Sequence, residues 1–158
     1  MHPNIKVLKA QSYESEQIAI LVGELLHEIM NRANINAFHF DQEATAKRLQ
    51  EFIEANKNFV FIAKDNDDIV GFITAYEGFS LYAEGAFGTI AELYVRPTHR
   101  SKKIGQVMIT CMKDFAQIRK WSRLEVTTPP LPAFENTLSF YTREGFEISG
   151  GRKLKRSI

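Results

Sequence analysis

The sequence has a single cysteine, Cys111, so no disulfide can close within one chain and the fold must rest on packing. It has almost no net charge. Its 20 Lys+Arg against 19 Asp+Glu leave +1 at pH 7, far from the basic domain that nucleic acid selects, and no nucleic-acid partner is expected. No apolar run is long enough to span a bilayer, and the opening Met1-His2-Pro3-Asn4-Ile5-Lys6 lacks the apolar stretch of a secretory signal. No membrane partner is expected, and the expected location is cytoplasmic. His2, His27, His39 and His99 show no metal-ligand spacing, so no metal is expected. Repeats, linkers and low-complexity segments are absent too. What is there is 44% hydrophobic and 25% charged over 158 residues, the size and composition of a single globular domain, residues 1–158.

Period-2 and period-3.6 patterns divide the chain. Ile5 to Leu8 reads as a strand, Ser15 to Met30 as a helix, Asn31 to Phe40 as a loop, and Gln42 to Ala55 as a second helix capped by Asp41. Phe59 to Ala63 and Ile69 to Tyr76 read as a hairpin around Asp65-Asn66-Asp67-Asp68. Glu77 to Phe87 reads as a glycine-containing connection, Gly88 to Val95 as a strand, Ile104 to Lys120 as a third helix and Arg123 to Thr127 as a strand. Thr128 to Pro132 breaks regular structure, Phe134 to Glu144 reads as a short helix, and a last strand from Phe146 to about Leu154 closes the order βααβββαβαβ. The strand, helix and strand from Gly88 to Thr127 predict a right-handed parallel crossover beside an antiparallel hairpin, hence a mixed sheet. Cys111 sits among the apolar positions of the third helix and is read as a core residue. The basic end, Gly150 to Arg156, is read as solvated or as completing the last strand.

The chemistry concentrates where the crossover turns from strand to helix. Arg100, Ser101, Lys102, Lys103, Ile104, Gly105 and Gln106 place three cations and a glycine at a helix start, where amide donors, helix dipole and side-chain charge all favour an anion. Gly105 offers no side chain to hold a phosphate off the backbone. The competing reading is a helix start with solvated basic residues.

Arg100-Ser101-Lys102-Lys103-Ile104-Gly105 resembles the Arg/Gln-x-x-Gly-x-Gly/Ala signature of the GNAT N-acetyltransferase superfamily, and Glu92-Leu93-Tyr94-Val95 resembles the strand before it. Pro97 stands where that strand gives way to the loop. Phe140-Tyr141-Thr142-Arg143-Glu144-Gly145-Phe146 is similar to the family's Tyr-x-x-x-Gly-Phe element, so the resemblance covers nearly the whole chain. It implies an α/β fold, a mixed and mostly antiparallel sheet with a central parallel pair of splayed strands, flanked by helices. It also implies acetyl-CoA as the acetyl donor, with its pantetheine on the backbone of Leu93, Tyr94 and Val95 beside a β-bulge and its pyrophosphate on Arg100 to Gln106. Lys103 departs from the pattern, standing where the first glycine belongs. The family's Asn seven positions before the Tyr is Phe134 here; Asn136, five before, either caps its helix or reaches the cofactor from a shifted register.

By the same resemblance Tyr141 protonates the departing CoA sulfur, against a plainer reading as a core tyrosine; Glu92, which precedes the expected cofactor-binding backbone, is read as the general base, acting directly or through water, against a solvated or ion-paired strand glutamate. The acceptor site is expected between Asn34 to Phe40 and Glu77 to Phe87, lined by Phe38, His39, Phe40, Tyr76, Phe79 and Tyr82, with Glu77 or Glu84 attracting a cationic amine. The same residues also read as a hydrophobic lid or a homodimer surface. The expected activity is acetyl transfer to a primary amine of a small molecule or of a peptide or protein. The alternatives are a CoA-binding sensor or adaptor without chemistry, and a nucleotide-binding module.

Overall fold

Helix α1 (Ser15–Ala33) buries Ile18, Leu21 and Ile29 at helical spacing and ends where Asn34 turns left-handed at φ 51°. Helix α2 (Gln42–Glu54) begins at Asp41, whose Oδ1 accepts the Ala44 N–H at 2.8 Å, as expected. These and all further details come from a computed structural model that describes residues 4–158; Met1, His2 and Pro3 lie outside it. The described chain forms two compact units, one ending at Thr127 and the other Thr128–Ile158.

In the first unit β1 (Ile5–Lys9), β2 (Phe59–Asp65), β3 (Asp68–Ser80), β4 (Gly85–Val95) and β5 (Leu124–Val126) make one sheet in that order. Neighbours from β1 to β4 run antiparallel, and β4 and β5 run parallel, joined by helix α3 (Ile104–Ile118). The mixed sheet and its crossover are those expected. One face of the sheet packs Ile62, Phe72 and Tyr94 against Ile18 and Leu21 of α1 and Leu49 of α2. Helix α3 packs across β1 to β4 and fully buries Ile104, Met108, Ile109 and Met112. Each such side chain removed from water contributes about 1.5–3 kcal/mol, and together they hold the N-terminal end of α3 in place. No helix among the described residues is long and apolar enough to cross a membrane.

The span Glu77 to Phe87 is not the connection expected from its glycines. It is the outer half of the β3/β4 hairpin, paired from Glu77↔Gly88 to Ser80↔Gly85 around a tip at residues 81–84. Gly85 opens β4 at φ 132° with nothing against it, while Gly78 in this span and Gly88 just beyond it seat aromatic rings. A Cβ on Gly78 would stand 2.7 Å from the Phe87 ring, and one on Gly88 would stand 2.2 Å from that of Trp121. Trp121 in turn donates its Nε1–H to Glu77 at 2.7 Å.

In the second unit α4 (Glu135–Arg143) ends in a glycine stop. The Phe146 N–H donates to the Tyr141 carbonyl at 3.0 Å and the Gly145 N–H to the Thr142 carbonyl at 3.1 Å, with Gly145 at φ 92°. The Phe146 ring closes on the Tyr141 ring at 5.4 Å, the apolar contact that accompanies such a stop. The spacing Tyr141 to Phe146 is therefore a helix terminus that fixes Tyr141. Two expectations fail here. No strand forms after Phe146: the Gly150-Gly151 pair and the charged run after it offer no face to bury, and Ile148 and Leu154 are exposed. Asn136 does not cap α4, since the N-cap is Phe134 and Asn136 lies inside the helix, exposed.

Candidate active site

The site is built on the inner half of β4. Thr74 pairs with Glu92 but the next residue, Ala75, pairs with Ile90, so Ala91 is the extra residue of a β-bulge. On the other edge β5 pairs only from Gly88↔Leu124 to Ile90↔Val126, and beyond Ile90 the parallel ladder stops. The Glu92 N–H points to β3, donating to Thr74 Oγ1 at 3.1 Å, and the Arg96 N–H points the same way, to the Val70 carbonyl at 2.9 Å. By strand alternation the N–H and C=O groups of Leu93 and Val95 point to the opposite edge, the one β5 leaves open, where the Val95 carbonyl already accepts from Arg100, while Tyr94 bonds toward β3. That is an edge on which an amide-bearing ligand can add as a strand does.

The carboxylate of Glu92 lies beside the bulge and accepts a hydrogen bond from the Thr74 hydroxyl. Burial pushes its pKa up, and the Thr74 bond offsets this only in part. A half-buried carboxylate whose pKa is raised is a stronger base than one in water.

From Val95 the chain passes through a single 3-10 turn, Pro97–His99, into the basic turn. His99 Nε2 meets Asp65 Oδ2 at 2.9 Å, joining this turn to β2. Ser101 and Lys103 both take φ 64°, and Lys103 is the N-cap of α3 with no side chain capping the helix. The first helical bond runs from the Val107 N–H to the Lys103 carbonyl at 3.1 Å, which leaves the N–H groups of Ile104, Gly105 and Gln106 at an uncapped helix start. A turn with left-handed residues can bring successive N–H groups to one side, a nest for an anion. Ile104 is buried and fixes the turn, whereas Ser101, Lys103 and Gln106 are exposed and Lys102 is half-buried.

Lys103 thus holds the backbone conformation that glycine adopts without cost, which explains how the motif survives its replacement. A left-handed non-glycine residue costs about 1–2 kcal/mol. Lys103→Gly is therefore expected to raise stability by about 1 kcal/mol in chemical denaturation, with CoA affinity changed only a few-fold in calorimetry.

Arg100 is engaged within the protein. Its Nε donates to the Val95 carbonyl at 2.8 Å, its Nη2 meets Glu28 of α1 at 2.8 Å, and its guanidinium lies 5.5 Å over the Tyr94 ring. Arg96 pairs with Glu24, one helical turn earlier on α1, at 3.1 Å. Sequence reasoning passed over this Glu24/Glu28 clamp, although its i, i+4 spacing opposite Arg96 and Arg100 is a readable signal. It also passed over Thr74, whose signal is a lone hydroxyl in the apolar run from Ile69 to Ala75.

The acceptor-side expectations fare unevenly. Glu77 is not held out for an amine: burial alone would raise its carboxyl, but bonds from Trp121 and from Arg119, at 2.6 Å, outweigh this and lower it. Tyr82 and Phe87 stack under Arg123 of their own sheet, at 4.9 and 5.7 Å. Phe40 packs on Gly23 of α1 and edge-on to His27, while Phe38, His39, Tyr76, Phe79 and Glu84 remain exposed. Cys111 is half-buried, and burial raises its thiol, in keeping with a packing role. Among the described residues no three His, Cys, Asp or Glu side chains group to hold a metal. In the second unit the Tyr141 phenol is buried, and burial raises it well beyond the ordinary tyrosine range, so it keeps its proton at neutral pH.

The sequence matches the model of the acetyltransferase (GNAT) domain over residues 56–148. No curated protein matches it. Among solved structures it is similar to a ribosomal-protein-alanine N-acetyltransferase from Brucella melitensis biovar Abortus 2308, at 18% identity over 97% of this chain and 99% of that one, TM-score 0.75. It is also similar to an aminoglycoside acetyltransferase from an uncultured soil metagenomic sample, in complex with trehalose, at 18% identity over 99% and 98% of the chains, TM-score 0.78. A predicted acetyltransferase with acetyl-CoA from Clostridium acetobutylicum aligns at 15% identity over 96% of each chain, TM-score 0.80. At these identities the structural likeness establishes the fold.

Proposed function

The chain belongs to the acetyltransferase (GNAT) family, and we propose that it is an acetyl-CoA-dependent N-acetyltransferase acting on a primary amine of a small molecule or of a peptide or protein. One observation carries the reading: an uncapped helix start lined by Lys102 and Lys103 follows, after one short turn, a strand left without a strand partner beyond Ile90, beside the bulge and the half-buried Glu92. A pyrophosphate suits the N–H groups of Ile104, Gly105 and Gln106, and a pantetheine arm, with its amides in line, suits the edge of Leu93 and Val95.

Acetyl-CoA supplies an activated acetyl thioester. The chain's residues do the rest. Glu92 accepts one proton from the acceptor's ammonium, so that a neutral amine attacks the acyl carbon; the carbon–nitrogen bond forms as the carbon–sulfur bond breaks, and the second proton that the nitrogen sheds makes good the one given to the sulfur. The Leu93 N–H, held on the open edge, is a donor for the acyl oxygen as charge develops there. Tyr141 gives its proton to the sulfur, a role for which a phenol that stays protonated is suited. Holding the reactants together supplies up to roughly 7–11 kcal/mol in favourable cases, so the base and acid need not carry the reaction alone.

A screen of amines with acetyl-CoA, read as free thiol, tests the reading. Thiol release with at least one amine is expected, falling about 10²-fold in Tyr141→Phe. CoA binding without thiol release for any amine would favour the sensor or adaptor reading, and ATP binding at least as tight as CoA would favour the nucleotide module.

A further inference from the structure

Thr74 is buried in the middle of β3, 2% exposed, in a strand otherwise apolar at that depth. Its hydroxyl makes two bonds, both to the same residue: it donates to the Glu92 carboxylate and accepts the Glu92 N–H at 3.1 Å. The bulge at Ala91 explains the second bond, since a slipped ladder leaves an N–H without its carbonyl partner across the strand pair. A hydroxyl has one proton to give, and with one lone pair turned to the N–H the carboxylate is the acceptor it meets.

The geometry points to Thr74 as the positioning residue of Glu92: one side chain closes the bulge and aims the carboxylate, so that the backbone irregularity and the orientation of the base are a single device. Other charges on that face are spoken for. Glu24 and Glu28 of α1 pair with Arg96 and Arg100, buried Glu14 pairs with Lys64 at 2.7 Å, and the charged side chains of α2, among them Lys47, Arg48, Glu51 and Glu54, are exposed. Against the cost of burial, the Thr74 hydroxyl is the group that favours the ionised form of Glu92. Thr74 is not a catalytic residue; it acts through Glu92.

The inference rests on Glu92 as the base and is tested without needing the acceptor. In the full chain carrying ¹³C-labelled glutamate, the Glu92 carboxyl resonance is assigned by its loss in Glu92→Gln and titrated by NMR. Thr74→Val keeps the branched shape and removes the hydroxyl, and it is expected to move the Glu92 midpoint up by about one pH unit, the order of one hydrogen bond to a charged group. Thr74→Ser is expected to restore it. An unchanged midpoint in Thr74→Val would overturn the inference. If that variant does not fold, the Thr74 hydroxyl proton of the unmodified protein is read instead. A slowly exchanging signal that follows the Glu92 titration supports the pair, and one that ignores it overturns it. The two failures are separable: Glu92→Gln with full turnover removes the base while leaving the titration result standing, whereas inactive Glu92→Gln with a Thr74-independent midpoint removes only Thr74's part.

Discussion

Glu92→Gln is expected to lower turnover with a responsive amine by about 10³-fold at neutral pH, while CoA affinity stays the same. The amide keeps an oxygen to accept the Thr74 hydroxyl and fills the same volume, so the bulge and the open edge of β4 are preserved. What is lost is the ability to take a proton. Stability should move the other way. Burial raises the Glu92 carboxyl in the folded state, so the folded protein binds this proton more tightly than the unfolded chain does. Stability therefore falls as pH rises from the ordinary carboxyl range through the folded value, and the charged form above it is the costly one. Replacing it with a neutral amide removes that cost, so at neutral pH the variant is expected to be at least as stable as the parent in chemical denaturation. An inactive variant that is also less stable would show that Glu92 holds the sheet together instead of moving a proton.

The second large effect belongs to the helix start. Lys102→Glu with Gly105→Asp is expected to weaken CoA binding about 10²-fold or more in calorimetry, since each change sets a negative charge against a phosphate where charge-assisted contacts contribute about 1.5–3 kcal/mol. The same pair should not damage the fold. An acidic side chain in the first turn of α3 complements the helix dipole by about 0.3–1 kcal/mol, and replacing a helical glycine adds to this. Binding and stability thus change in opposite directions. A matched loss of both would point to misfolding, and unchanged affinity would remove the pyrophosphate from this turn.

The sequence was most legible where local chemistry decides the structure. Asp41 caps α2 because an N-cap needs only its own next three residues, and Tyr141 to Phe146 could be recognised because a glycine helix stop is equally local. What stayed hidden depends on partners distant in sequence. The bulge at Ala91 exists only relative to β3, so neither its place nor the Thr74 to Glu92 pair follows from β4 alone. Gly78 suggested a loop because its real reason, the ring of Phe87 lying over it, needs the register of the hairpin, just as the ring of Trp121 over Gly88 needs the end of α3. Glu77 looked available to an amine for the same reason: Arg119 and Trp121, which occupy it, come more than forty residues later in the chain. The run after Phe146 suggested a strand on the strength of two apolar residues, which a glycine pair and a cluster of cations outweigh. Lys103 could be seen to depart from glycine, but only its φ of 64° shows that the departure leaves the backbone as the motif requires.

In the proposed function the pyrophosphate of acetyl-CoA rests on the uncapped start of α3 and its arm runs along the open edge of β4. An electron-density map from crystals grown with acetyl-CoA measures this directly. Phosphate density is expected on the N–H groups of Ile104, Gly105 and Gln106, and pantetheine density beside the backbone of Leu93 and Val95. Acetyl-CoA bound elsewhere on the chain, with that helix start bare, would contradict that placement.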